Sequence, residues 1–233
     1  MLYDSDFLLL PYKGIIEERH RLFQEKARML QGNAPRLADN CNSHLYYGLH
    51  LGQGRWLLRE WAPNATAIYL LFDGNSWQRN SRYAFKRIDG ENWELSLPEE
   101  ELSHGTLYKL LVEWPGGSGE RLPSHTTRAV QDPYTKVFTA QVWQPAPYQW
   151  QHPRPEAAGA PLIYEAHIGM ATEQQKVSTF VEFRLFVLPR IAQLGYNVLQ
   201  LMAIQEHPYY GSFGYQVSNF FAVSSRFGTP EEL

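Results

Sequence analysis

The first forty residues carry a helical pattern of hydrophobic and polar positions. Between Gly14 and Gly32, apolar residues recur every three to four positions among charged neighbours. This spacing places them on one face of a helix, and glycine is common just past a helix end. The pattern predicts an amphipathic helix within a helical segment over residues 1–40. Its apolar positions are Ile15, Ile16, Leu22, Phe23, Ala27 and Leu30.

The pattern changes over residues 44–142, where short runs rich in Trp, Tyr, Leu and Val alternate with turn signals. Several short strands at this spacing predict an all-β sandwich, which we place at residues 41–150. The glycines at 115–119 form no phosphate loop, because they lie between strand-like runs and lack the required Lys and Ser or Thr. They predict a hairpin turn. The turn signals are WAPNA (61–65), FDGNSW (72–77), DGENW (89–93) and PGGSG (115–119).

A segment dense in Pro and Ala separates this region from the rest of the chain. It runs from Gln144 to Pro161 and reads QPAPYQWQHPRPEAAGAP. Such a composition disfavours regular strand pairing and suits an extended connection. We predict a linker at residues 151–161.

The last part of the chain, residues 162–233, has the pattern of a parallel α/β unit. Two near-continuous apolar runs at 162–169 and 196–204 predict buried strands, and residues 178–195 predict a helix that contains a proline and ends at Gly195. Strand, helix and strand in this order are typical of a βαβ unit. We therefore expect the opening of a TIM (β/α)8 barrel.

A long segment at 205–228 follows, crowded with aromatic residues, Gly and Ser. Loops after barrel strands build the active-site face, so this segment favours a functional role, with a packed surface loop as the alternative. Thr229, Pro230 and Glu232 then predict the start of another helix. About 70 residues follow the linker, whereas a complete barrel takes about 250. We expect the chain to be a fragment with an incomplete barrel.

Composition and charge exclude several classes of function. The formal net charge of -3, without long blocks of one sign, argues against nucleic acid or membrane partners. Cys41 is the single cysteine and the eight histidines lack the spacing of a zinc site, so we expect no disulfide, metal or other cofactor. No run approaches the about 20 apolar residues of a membrane span, and no signal peptide is evident, which indicates a cytoplasmic protein.

Aromatic residues make up 14% of the chain, and many lie near Gly, Asn, Asp and Pro. Aromatic rings pack against the C–H faces of sugars while nearby amides and hydroxyls bind sugar hydroxyls. Aromatic residues also form the core of β-rich domains. The composition therefore allows a carbohydrate site without requiring one.

Longer sequence motifs allow this chain to be compared with a known family. Residues 162–233 contain IYEAHIGM, then LPRIAQLGYNVLQLMAIQEHPYYGSFGYQVSNFFAVSSRFGTPEEL, and upstream lie WAPNA, HGTLYKL, RLPSHTTRAVQD, AQVWQP and WQHPRP. Together these phrases closely resemble the 1,4-α-glucan branching enzymes of the α-amylase superfamily. The resemblance implies a helical segment, an immunoglobulin-like carbohydrate-binding module of the family-48 type, and a catalytic (β/α)8 barrel. It implies α-glucans such as glycogen, amylose and starch as partners.

The resemblance also implies the reaction. A branching enzyme cleaves an α-1,4 linkage and transfers the glucan to a 6-hydroxyl, by retaining chemistry that needs two carboxyl groups about 5 to 5.5 Å apart. The family's catalytic carboxylates lie on later barrel strands, so none is assigned to this chain, which we expect to be inactive alone. Glu165 and Glu206 are expected to hold local structure.

Candidate substrate-binding residues follow from the same resemblance. Tyr215 in GSFGYQ matches a tyrosine that lines the family's donor pocket, and Gln216, His207 and Tyr210 share its loop. Trp77 and Trp93 match aromatic positions that similar modules use as stacking platforms, although FDGNSW here departs from the usual GDFNNW. A core role remains open for Trp77 and a structural role for Gln216, His207 and Tyr210. We expect Trp61 in the core.

Two alternatives remain at this point. The chain is a non-catalytic α-glucan-binding protein with a relic barrel, or a fragment of a glycogen debranching enzyme, which carries a similar module. An evolved truncation should end at a tolerated boundary rather than on a helix N-cap, which disfavours the first. The motifs EAHIGM and YYGSFGYQVSNFFAVSSRFGTPEEL favour a branching enzyme over a debranching enzyme.

Overall fold

The computed structural model describes residues 1–155, 159–202 and 204–233. The predicted linker therefore includes three residues outside the described ones, 156–158, and the second predicted barrel strand includes one, residue 203. The chain divides into two compact units, Met1–Tyr46 and Tyr47–Leu233. Among the described residues, no helix combines the length and apolarity required to cross a bilayer.

The first unit contains the predicted amphipathic helix. Helix α1 spans Lys13–Gln31, and Gly32 follows it with a positive φ of 56°. Arg21 forms ion pairs with Glu18 and Glu25, one turn to either side on the helix. These spacings stabilise a solvent-exposed helix face. A short helix α2 at Ser43–Tyr46 ends the unit.

Two antiparallel sheets form the predicted β-sandwich. The first has the strand order β1-β2-β5-β4, and the second has β3-β6-β9-β8 with β7 paired to β6. Buried side chains alternate with more accessible ones along β2 and β6, as a strand with one face on a core requires. The strands are β1 (Gly48–Gly52), β2 (Arg55–Trp61), β3 (Ala67–Phe72), β4 (Lys86–Arg87), β5 (Asn92–Pro98), β6 (Leu107–Trp114), β7 (Gly117–Arg121), β8 (Ala129–Gln131) and β9 (Phe138–Gln141).

The inward side chains of both sheets form one core. Trp56 and Leu58 of β2 meet Leu70 of β3 and Leu110 of β6, all nearly inaccessible to solvent. The indole N–H of Trp56 donates to the carbonyl oxygens of Glu99 and Leu102, so its burial leaves no donor unpaired. Burial of these large apolar side chains is the main source of stability for such a domain.

The turn at Pro115–Gly116 confirms the predicted hairpin. It joins β6 to β7, which pair in register from Trp114–Gly117 to Leu110–Arg121. Gly116 has a φ of 92°, and proline followed by such a glycine is typical of a type II turn. The hairpin therefore follows from local turn chemistry.

The last part of the chain confirms the predicted strand, helix and strand of a βαβ unit. Strands β10 (Ile163–His167) and β11 (Val198–Met202) pair in parallel. Between them lie α3 (Phe180–Glu182), a π-helical turn (Phe183–Val187) and α4 (Leu188–Gln193). The Thr179 hydroxyl accepts a hydrogen bond from the Glu182 backbone N–H, and the Glu182 carboxylate accepts one from the Thr179 backbone N–H. This pair of bonds caps the start of α3.

A second core lies between these strands and helices. Its buried members are Ile168, Phe180, Phe183, Ile191 and Phe227. Strands β12 (Gln205–Glu206) and β13 (Asn219–Val223) pair antiparallel and bracket the aromatic-rich loop. The antiparallel β12–β13 pair thus holds the two ends of that loop together.

The end of the described chain has part of the predicted capping interaction. The Thr229 N–H donates to the Glu232 carboxylate over 2.8 Å. The Leu233 N–H donates to the Thr229 carbonyl over 3.4 Å, the bond spacing of an α-helical turn. The helix start at Thr229 stays a prediction.

Candidate functional site

Trp77 lies beside a recess on the outer face of the five-stranded sheet. The recess has a volume of about 490 Å³ and is lined by Trp77, Leu107, Lys109, Thr139 and the segment around Asp132. The Lys109 ammonium nitrogen lies 6.0 Å from the centre of the Trp77 ring. The recess thus combines one aromatic face with hydroxyl, amide and ammonium groups, which suits a sugar ring and its hydroxyls.

The FDGNSW turn holds Trp77 in place. Ser76 and Trp77 both adopt positive φ values, 53° and 56°. The Trp77 indole N–H donates to Asp73 over 2.6 Å, and its backbone N–H donates to the Phe72 carbonyl over 3.0 Å. Asn75 donates to the Leu70 carbonyl and accepts from the Phe72 N–H. These bonds set the indole orientation without a glycine at either left-handed position.

A second aromatic groove lies at the end of β2. Trp61 and Trp114 are 50% and 44% exposed, and both line a groove of about 420 Å³ together with Pro63, Asn64 and Arg121. A Cβ added at Gly117 or Gly119 would come within 3.2 Å of the Trp114 ring. The two glycines therefore let the Trp114 indole lie flat against the hairpin.

The expectation that Trp61 lies in the core is wrong. Trp56, Leu58 and Glu60 point inward along β2, and the period of two in a strand puts Trp61 on the outer face. Its indole N–H donates to the Glu91 carboxylate over 3.1 Å. The alternation of inward and outward positions along β2 would have identified Trp61 as an outward-facing residue. The same alternation along β6 would have identified Lys109.

Trp93 lies in the sandwich core instead of on a binding surface. Only 5% of the residue is exposed, and its indole N–H donates to the Ala62 carbonyl over 3.0 Å. The Arg87 guanidinium lies 5.3 Å from its ring. Trp93 offers no free ring face for stacking, so the structure corrects its assignment as a platform and leaves Trp77 as the accessible one of the two predicted platforms.

The loop after β12 separates its four candidate residues. Tyr215 is 81% exposed and Gln216 next to it is also exposed, whereas Tyr210 is half-buried and His207 is fully buried. His207 Nδ1 lies 2.9 Å from the Gln205 carbonyl oxygen. The Arg226 guanidinium lies 5.5 Å from the Tyr210 ring. Only Tyr215 and Gln216 are therefore placed to touch a ligand; His207 does not line an open pocket.

Glu206 holds local structure. Its buried carboxylate accepts the Ser225 backbone N–H over 2.7 Å and lies 3.5 Å from the Ser224 hydroxyl. Glu165 on β10 is exposed. We therefore assign no catalytic role to either carboxylate.

The β-sandwich and the segment after β13 meet at a polar junction that sequence patterns did not indicate. Arg128 donates to the Gly228 carbonyl over 2.8 Å and its guanidinium lies 4.9 Å from the Trp143 ring. The Trp143 indole donates to Glu231 over 3.0 Å. Burial lowers the pKa of Arg128 below its usual range. The two hydrogen bonds join residues 100 and 88 positions apart, which no local signal reveals.

Comparison with known proteins connects these surfaces to a family. Residues 46–135 match the model for Carbohydrate-binding module 48 (Isoamylase N-terminal domain). A 1,4-alpha-glucan-branching enzyme of Dictyostelium discoideum is 37% identical over 98% of this chain and 35% of its own length. One of Yarrowia lipolytica is 40% identical over 84% of this chain and 30% of its own. The chain thus spans about a third of the length of the curated relatives it matches.

Solved structures show the same fold at low sequence identity. A putative alpha amylase of Salmonella typhimurium superposes with a TM-score of 0.64 and 19% identity, over 80% of this chain and 29% of that one. A pullulanase of Anoxybacillus sp. LM18-11, complexed with maltotetraose, gives 0.62 and 19%, over 80% and 30%. Together with the matching module, these relatives lead to one conclusion: the chain is related to the 1,4-alpha-glucan-branching enzymes and contains a carbohydrate-binding module of family 48 at residues 46–135.

Proposed function

We propose that this chain is the glucan-binding part of a branching enzyme. The whole enzyme cleaves α-1,4 linkages in glycogen, amylose or starch and transfers the released chain to a 6-hydroxyl, which creates an α-1,6 branch. The observation that carries the proposal is the presence of two solvent-accessible tryptophan surfaces on a module of the family-48 type. The names of the relatives supply the reaction.

The two surfaces of the sandwich hold the polymer. At Trp77 the ring face stacks against a glucose unit while Lys109 and Thr139 bind its hydroxyls. At the Trp61 groove, Trp114 and Arg121 provide a second contact of the same kind. Two weak contacts on one chain raise the affinity for a long polymer far above that for a short oligosaccharide.

The exposed loop after β12 serves the reaction itself. Tyr215 and Gln216 stand on the side of the sheet where the parallel strands end, which is the active-site face of a (β/α)8 barrel. We infer that the Tyr215 ring packs against the glucose next to the cleaved bond. The two carboxyl groups of retaining chemistry are not assigned to any residue of this chain.

Affinity electrophoresis through gels that contain glycogen or amylose tests glucan binding. We expect W77A and the double variant W61A/W114A each to weaken binding about tenfold, which corresponds to roughly 1.4 kcal/mol for a lost ring contact. W150A is the matched control, because Trp150 is exposed but lies on neither surface. A wild-type chain that migrates as in a gel without glucan would contradict the proposal.

Iodine staining tests the expectation that the chain alone does not branch. Incubation with amylose should leave the absorbance and its maximum unchanged, because no catalytic carboxylate pair is assigned. A falling and shifting absorbance would show that this chain itself branches amylose. Glucan binding without branching by a full-length protein would favour a non-catalytic glucan-binding function instead.

A further inference from the structure

His167 ends strand β10 inside a group of aromatic rings. Tyr210, Phe213 and Phe227 lie 6.0, 5.7 and 5.9 Å from it between ring centres, each nearly perpendicular to the imidazole. Both ring nitrogens are buried, and neither has a hydrogen-bond partner among the described residues. A buried imidazole without polar partners is unusual, so its contacts to the rings need an explanation.

Two of these rings belong to the loop that presents Tyr215. A 3-10 turn at Tyr210–Ser212 is followed by Phe213 and Gly214, both in the left-handed region with φ values of 52° and 82°. A left-handed phenylalanine persists only where its surroundings impose that conformation. The backbone N–H of Phe213 donates to Tyr210 and that of Tyr215 to Ser212, each over 3.0 Å. The packing of Phe213 against His167 is the long-range contact that adds to these local bonds.

The loop lies directly on the end of β10. A Cβ at Gly169 would come within 2.9 Å of the Tyr210 hydroxyl oxygen and 2.7 Å of the Phe227 ring. On its other side Tyr210 is covered by Arg226, which also donates to the Pro208 carbonyl over 3.1 Å. The base of the loop is therefore fixed on two sides, and His167 is the side chain beneath its Phe213 end.

We propose that His167 is a positioning residue that holds Phe213 in its left-handed conformation and so presents Tyr215 to the glucan. The inference rests on the proposed function only in taking Tyr215 as a glucan contact. The ordering of the loop by His167 does not depend on that function. Perpendicular rings allow a buried imidazole N–H to point at an aromatic face, which is a weak hydrogen bond. Burial and the nearby His207 lower the pKa of His167, in keeping with a neutral ring.

Amide hydrogen exchange, followed by NMR on the full chain, tests the role of His167. The reporters are the hydrogen-bonded amides of Phe213 and Tyr215. We expect H167A to accelerate their exchange at least tenfold while the amides of Ile163–Ala166 in β10 stay within twofold. H167F keeps a ring at this place and should restore slow exchange to within threefold of wild type. H152A, at an exposed histidine, should change nothing.

Unchanged exchange at Phe213 and Tyr215 in H167A would overturn the proposal, and so would an H167F variant as loose as H167A. If H167A unfolds β10, the variant F213A decides, because Phe213 is 43% exposed and lies outside the strand. F213A should accelerate exchange of the Tyr215 amide at least tenfold, as expected for H167A. A Tyr215 amide that F213A leaves slow would overturn the proposal as well.

A titration with maltotetraose separates this inference from the proposed function. In the wild type the Tyr215 amide resonance should shift with added maltotetraose, and in H167A the shift should shrink at least threefold. Absence of any shift in the wild type would count against Tyr215 as a glucan contact. The exchange data would still decide whether His167 orders the loop.

Discussion

Glu60 is the buried carboxylate of the β-sandwich. It accepts from Arg121 and from the Ser124 backbone N–H, each over 3.0 Å. Burial nevertheless raises its pKa above the ordinary value of 4.5, because desolvation outweighs these bonds. Folding therefore favours the protonated acid, and the stability it contributes is present below pH 4.5 and lost as the pH rises through the folded-state pKa.

Glu60→Gln gives a direct test, because glutamine has the same shape and does not titrate. We expect the unfolding free energy of wild type, relative to E60Q, to fall as the pH rises from 4.5 toward neutrality. Urea unfolding at a series of pH values measures this difference. E100Q, at an exposed glutamate, is the control for the loss of one surface carboxylate. A wild type that gains on E60Q with rising pH would mean that Arg121 and Ser124 outweigh burial.

Glu206 is the corresponding residue in the barrel part. Its removal leaves the part-buried Ser225 N–H without this acceptor and opens a cavity where the buried carboxylate lies. We expect E206A to lower the unfolding free energy by about 3 kcal/mol, and E206Q, which keeps an oxygen in place, by about 1 kcal/mol. Chemical denaturation measures both values. E165A should stay within about 0.5 kcal/mol, since Glu165 is exposed. Equal losses in E206A and E165A would refute the structural role of Glu206.

Among the elements, the β6–β7 hairpin depends on one glycine. Gly116 has a φ of 92° and open space around its Cα, so an added methyl group strains only the backbone. We expect G116A to cost about 1–2 kcal/mol and to weaken the glucan contact at Trp114, which the hairpin supports. Gly90 is the control, because it is equally open but lacks a positive φ. G90A should change the unfolding free energy by less than about 0.5 kcal/mol. Equal effects would show that the turn conformation is not the cause.

Elements with local signals were predictable and those set by distant contacts were not. Helix α1, the β6–β7 hairpin and the parallel β10–β11 pair follow from periodicity and turn residues. The proline in the second helical segment was visible, but the π-helical turn just before Pro189 was not. That wider turn accommodates a ring that would otherwise meet the preceding turn of the helix.

The candidate site shows the same division. Matches to family sequence motifs identified Trp77 and Tyr215, which are accessible in the structure. The same matches also selected Trp93 and His207, which are buried. Burial depends on which sheet face a side chain meets, and a motif does not encode that. Trp61 shows the reverse error, since its outward position follows from the alternation along β2. Parity along each strand is thus a better guide to sugar platforms than the aromatic motif alone.

At the scale of the whole molecule, apolar surface is distributed unevenly. The sandwich buries most of its large apolar side chains, whereas the barrel part exposes many of its own on the strands and on the segment 185–194. The relatives are about three times as long as this chain, so in them further chain is available to cover such surface. In this chain the exposed set includes Leu162, Ile163, Leu185, Phe186, Leu188, Leu194, Val198, Phe220 and Phe221.

Exposed apolar patches of this extent, next to a two-stranded parallel sheet with open edges, favour self-association. We expect the purified chain to form oligomers at micromolar concentration, and L185K/F186K to shift the population toward monomer, because charge on both helix positions opposes contact between copies. Analytical ultracentrifugation measures the distribution. Y134K is the matched control, since Tyr134 is the most exposed large side chain of the sandwich but lies outside the barrel part. If the wild type sediments as a compact monomer, this apolar surface does not drive association. If Y134K dissociates the oligomer as well as L185K/F186K does, net charge rather than the barrel face controls it.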